Sequence, residues 1–139
     1  LQRHAEANMS NADKHKHLDL ISQAIGRMAE SSFRVRSWCV TVVSAVIALA
    51  VERSKPSLAL AGLVPIVVFL LIDAYYLGQE RRFRDMYDHV RQMSQDNIDF
   101  AMYYPDLPKR PLWAALPATI YLLLYGGLAA AVVVISLLL

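Results

Sequence analysis

The chain has 139 residues, of which 56% are aliphatic, aromatic or cysteine and 19% charged, with a net charge of +2 at pH 7. So small a positive balance argues against a nucleic-acid partner. Charges gathered between apolar runs argue against a soluble domain, which spreads them along amphipathic elements. The lone cysteine, Cys39, has no intrachain disulfide partner and reads as a small packed side chain.

Residues 1–16 are polar and lack a clear period, which predicts a mobile tail. The start at Leu1 rather than Met suggests a fragment or a processed chain, and no secretory signal is expected, since the first apolar stretch begins more than thirty residues in. From Leu18 the apolar positions run Leu18, Ile21, Ile25, Met28 and Val35, with Ser32 between. That three-four spacing predicts one helix from about His17 to Glu52, amphipathic before the membrane and apolar within it. Lipid offers no hydrogen bonds to a bare backbone, so each crossing must be a helix of about twenty apolar residues. Trp38–Val51 has only fourteen, but the span reaches about 35–52 if Arg34 and Arg36 snorkel to the interface. Pro56, amid Ser, Lys and Glu, predicts an external turn at Glu52–Ser57.

The second span, Leu58–Leu77, is twenty residues with one charge, Asp73. It runs on past Gly78 into Gln79–Ser94, where Phe83, Met86, Tyr87, Val90 and Met93 make a second apolar stripe. Residues 17–104 thus predict a helical hairpin whose two extensions pack on each other outside the membrane. Asp99–Tyr104 is an acidic-aromatic patch expected at the lipid headgroups. Pro105, Pro108 and Pro111 interrupt any helix, so residues 105–139 read as a Pro-rich linker followed by a third span, Leu112–Leu139, which holds no charge. The expected fold class is an all-α membrane protein: a transmembrane hairpin with long cytoplasmic extensions plus a third, C-terminal transmembrane helix.

Lysine and arginine orient it. Six lie before the first span, two in the external turn and six between the second and third spans. That pattern predicts a cytoplasmic N-terminus in a bacterial inner membrane, with the C-terminus in or beyond the outer leaflet. Trp38, Tyr75, Tyr76, Tyr103, Tyr104 and Trp113 agree, all falling near the predicted inner boundary.

A carboxylate within a span costs several kcal/mol unless paired, which makes Asp73 the first candidate functional residue. Arg34 and Arg36 reach the same depth in an antiparallel hairpin, so the expected role is helix pairing with one of them; an ion path is the alternative. Gly126/Ala130 and Gly127/Ala131 are small-xxx-small pairs that let helices approach closely, and they predict packing between copies. Pro117 can kink that span, and Tyr121 and Tyr125 put two hydroxyls on one face.

Arg84 and His89 fit the Arg-x4-His spacing of HEPN ribonucleases, but a five-residue step turns a helix by about 140°, so they do not share a face. They read as solvated, with Asp85, Asp88 and Arg91 for partners. His15 and His17 lack a third metal ligand. No catalytic residue, cofactor or metal is expected.

The run Arg27-Met-Ala-Glu-Ser-Ser-Phe-Arg-Val-Arg-Ser-Trp38, then Asp73-Ala-Tyr-Tyr-Leu-Gly-Gln-Glu-Arg-Arg-Phe-Arg84 and the Ile98–Met102 segment, resembles a family of small bacterial membrane proteins. Over residues 18–104 the architecture is similar to SLATT-type effectors and RipA-like octameric membrane proteins. The third span is an addition to the minimal two-span SLATT design. The resemblance implies a homo-oligomeric, pore-like effector that perturbs the inner membrane during antiphage defence. Two other readings remain at this point: a non-conducting anchor or adaptor that recruits a cytoplasmic protein partner, and a membrane-bound HEPN-like nuclease using Arg84 and His89.

Overall fold

A computed structural model describes residues 2–94, 97–108 and 119–139, with side chains from residue 11 onward. It is all-α. Among the described residues three helices are long and apolar enough to cross a membrane: Asn11–Arg53, Pro56–Gln92 and Thr119–Leu138.

Helix α1 spans Gln2–Arg53, 52 residues, or about 78 Å at 1.5 Å per residue. The helix therefore starts well before His17, in the stretch whose composition suggested a tail. Nothing in residues 2–16 breaks a helix, since they hold neither Gly nor Pro. Lys14 also anchors the region, its Nζ donating to the carbonyls of Arg91 (2.9 Å) and Met93 (2.8 Å) at the far end of the hairpin. Helix α1 ends in a Schellman turn, in which Lys55 N–H donates to Ala50 O and Ser54 N–H to Val51 O, both at 3.1 Å. Ser54 sits at φ 50°, the left-handed position usually given to glycine.

The returning span is in two pieces, α2 (Pro56–Ala61) and α3 (Leu63–Gln92), with Pro56 at the first helical position. Between them Gly62 is a point of close approach. A Cβ there would lie 3.0 Å from the carbonyl of Ala59, 3.3 Å from Val132 and 3.6 Å from Val46, so all three spans converge on it. The third span, α4 (Thr119–Leu138), contains a π-helical turn over Leu122–Gly126. Its C-terminal end is tied to the turn between α1 and α2 by Ser136 Oγ, which donates to Pro56 O at 3.1 Å. Helix α4 runs parallel to α1 and antiparallel to α3, as the contacts Tyr125–Asp73 and Ser136–Pro56 require. The predicted kink at Pro117 and the positions of Lys109, Arg110, Pro111 and Trp113 lie outside the described residues.

Two cores result. Within the span, Cys39, Val43, Ile66, Ala74, Tyr121, Tyr125 and Val132 are buried together. Outside it, Ile21, Met86 and Val90 form a second core, flanked by Leu18, Ile25, Phe83, Tyr87 and Met93. This is the contact between the two apolar stripes of the extensions.

The segment 97–108 lies against the hairpin: Ile98, Tyr104 and Leu107 cover the second core, while Phe100, Met102 and Tyr103 stay exposed.

Candidate functional site: a polar centre inside the bundle

Asp73 lies on α3 with its side chain fully buried. Four donor contacts from two other helices close around it. Arg36 Nε donates to Oδ2 at 2.7 Å and Arg36 Nη2 to Oδ1 at 3.3 Å. Ser32 Oγ donates to Oδ1, and the Tyr125 hydroxyl to Oδ2 at 3.0 Å. Ser32 and Arg36 are one helical turn apart and share a face of α1 with the buried Cys39 and Val43. Tyr125 comes from the π-helical turn of α4, a wider turn often found where a helix presents a particular side chain.

A carboxylate has about four lone-pair sites, and all are engaged here. The Arg36 charge compensates that of Asp73, and the hydroxyls satisfy what the guanidinium leaves. Arrangement and burial are those of a joint between three helices; an ion entering would first have to displace these donors. The Arg36 guanidinium carbon also lies 5.7 Å from the ring centre of Tyr121, which stacks on Tyr125 at 5.7 Å. The Tyr121 hydroxyl is buried beside Arg36 and Asp73, outside good hydrogen-bonding geometry with either.

Of the two arginines at this depth, only Arg36 joins. Arg34 points outward at 63% exposure, 3.8 Å from Glu30. Gly126, Gly127, Ala130 and Ala131 are all exposed on the single chain, and a Cβ at Gly127 would meet nothing within 4 Å. The small residues therefore face away from their own bundle. Arg84 is held by Glu80 at 2.8 Å, one turn back on α3. His89 instead packs against the Tyr104 ring at 4.8 Å. The two do not converge on a common point.

A second polar cluster pins segment 97–108. His17 is fully buried, with Nε2 3.0 Å from the carbonyl of Ala101 and its ring 5.4 Å from that of Phe100. A carbonyl only accepts, so Nε2 carries the proton in this contact. Asp99 accepts from Ala101 N–H at 3.0 Å and from the Tyr104 hydroxyl at 2.9 Å. The backbone N–H, then the hydroxyl, hold the Asp99 carboxyl below its ordinary value of 3.8. Burial first, then that same bond, pushes Tyr104 up to about 12. Arg82 completes the cap, 4.8 Å over the Tyr103 ring. Among the described residues no group of three potential metal ligands comes together.

Ser32, Tyr125 and His17 were not singled out as partners by sequence. Ser32 did carry a signal: a hydroxyl on the inward three-four stripe. Tyr125 and His17 find their partners 52 and 84 residues away, beyond the reach of any local pattern.

No protein-family model, no curated protein and no solved structure matches the chain. The fold and its buried polar joint define an all-α membrane protein with three spans.

Proposed function

We propose that this chain is the subunit of a homo-oligomeric, pore-like effector that perturbs the bacterial inner membrane in antiphage defence, with its N-terminus cytoplasmic. The observation that carries the reading is how each subunit divides its surface. The Asp73 carboxylate is turned inward and closed by Arg36, Ser32 and Tyr125, while the small-residue face of α4 and most of the apolar surface are turned outward. A helix face of Gly and Ala suits a neighbouring helix better than lipid, because close backbone approach is what such residues allow. The likeness of residues 18–104 to SLATT-type and RipA-like proteins supports the defence role.

The test is the mass of the particle in nanodiscs together with dye release from vesicles. An oligomer that releases dye supports the reading; a monomer overturns it. Gly127→Leu fills open space on the single chain, so it should leave the subunit folded while reducing particle mass. Reporter fusions after Ser94 and after Leu139 should report opposite sides of the membrane, the first cytoplasmic.

One observation favours a second reading, a non-conducting adaptor. Because Asp73 is closed within its own subunit, no single chain offers a polar path, and conduction would have to run between subunits. In that reading the exposed Phe100, Met102 and Tyr103 of the extramembrane cap would receive a protein partner. An oligomer that releases no dye selects it.

A further inference from the structure

At the depth of the Asp73 cluster, the outer surface between α1 and α4 is cut by a groove of about 290 Å3. Phe33, Val40, Ile120 and Leu124 wall it, and Arg36 and Ser37 form its polar end. Phe33 and Ile120 are 67% and 47% exposed, so the groove opens outward and not into the bundle.

Arg36 serves two sides. Its Nε and Nη2 hold Asp73 and the Tyr121 hydroxyl lies close by, yet the side chain keeps 21% exposure. A guanidinium carries five N–H donors in a planar fork, so donors remain for the groove. The Ser37 hydroxyl is already spent on Phe33 O at 3.1 Å and brings no further donor. The level is that of the membrane boundary: the ion pair of Arg34 and Glu30 lies just before it, and exposed Trp38 and Tyr75 lie beside it.

An occupant must therefore bring an anionic oxygen at headgroup depth and an apolar chain that continues into the bilayer. Water could meet the donors but would leave the four walls uncovered. A phospholipid meets both demands, with a charge-assisted bond to its phosphate and an acyl chain in the groove.

We infer that the groove between α1 and α4 is a phospholipid site, in which Arg36 donates to the lipid phosphodiester and an acyl chain lies along Val40, Ile120 and Leu124. Asp73 already compensates the charge of Arg36, so the site reads phosphate oxygens and not net headgroup charge. Phosphatidylglycerol and phosphatidylethanolamine should both bind, and a phosphate-free diacyl glycolipid should not. The inference rests on membrane embedding and holds for a single copy or for an assembly.

Native mass spectrometry of delipidated protein, titrated with each of these lipids, tests it. The wild type should retain one phospholipid per subunit, with the glycolipid at least about tenfold weaker, the ratio for roughly 1.4 kcal/mol. Val40→Trp and Ile120→Trp fill the groove from outward positions without touching the ion pair. Each should weaken phosphatidylglycerol binding by about tenfold while leaving the lipid-free thermal midpoint in place. Equal retention of the glycolipid by the wild type would overturn the site without any substitution. Undiminished phospholipid binding by both tryptophan variants would overturn it independently.

Discussion

At the extramembrane end of the hairpin, the side chains at the centre of the helix contact are Ile21, Met86 and Val90, all but fully buried. Where the same two helices meet deeper in the bundle, the centre is Asp73, buried as completely but held by Arg36, Ser32 and Tyr125. The contrast follows from the solvent. Outside the bilayer, water expels an apolar stripe and drives the helices together. From the membrane boundary inward, lipid tails are as apolar as leucine, so apolar contact supplies little drive and a buried polar joint at that boundary decides which faces meet. One pair of helices thus uses two kinds of adhesive along its length.

Removing the membrane joint should have the largest effect. Asp73→Leu removes all four donor contacts and leaves Arg36 without its carboxylate, a loss expected at about 3 kcal/mol, the low end for a broken buried pair because Arg36 keeps 21% exposure. Adding Arg36→Leu should restore more than half of that loss, as read by thermal unfolding of single and double variants in nanodiscs. If Asp73→Leu alone unfolds like the wild type, the polar centre does not join the helices.

Met86→Ala strikes the other adhesive. It should cost about 2–3 kcal/mol through lost burial and the cavity left behind. Hydrogen exchange should rise along residues 14–30 and 80–92 but not in the spans. Exchange that rises uniformly would show that the two halves unfold as one unit.

A smaller effect is expected from Tyr125→Phe, which removes one hydrogen bond to Asp73 and keeps the ring. Such bonds inside membranes are worth about 0.6 kcal/mol on average, so the thermal midpoint should fall only slightly. A loss as large as that of Asp73→Leu would make Tyr125 the keystone of the joint.

The smallest effect concerns the exposed cap and its pH dependence. Asp99 is depressed in the fold, so its contribution is complete above its ordinary value of 3.8 and lost as pH falls below it. Tyr104 is raised to about 12, so its contribution is complete below its ordinary value of 10.0 and lost as pH climbs toward 12. The Tyr104 ring resonances should therefore be constant from about pH 5 to 9 and shift at both extremes. Asp99→Asn should abolish the acid shift; an acid shift that survives would assign it to another group.

The residue pattern was enough to locate the three spans and the apolar faces of the hairpin, though not the helical start at Gln2. Spans follow from uninterrupted apolar runs, because a bare backbone in lipid has no alternative to helix. The three-four stripes of Leu18–Ile25 and Phe83–Met93 also named the second core in advance, since their period is local. It likewise marked Asp73 as needing a partner at the depth of Arg34 and Arg36. Of the two arginines the structure uses Arg36, which follows Ser32 by one turn on the inward face of α1, and leaves Arg34 on the outward face. Tertiary structure alone recruited Tyr125 from the third span, buried His17 beneath Ala101 and drew segment 97–108 onto the hairpin. Each of these contacts joins elements far apart in the chain, and their geometry is fixed by how whole helices pack, which no local period encodes.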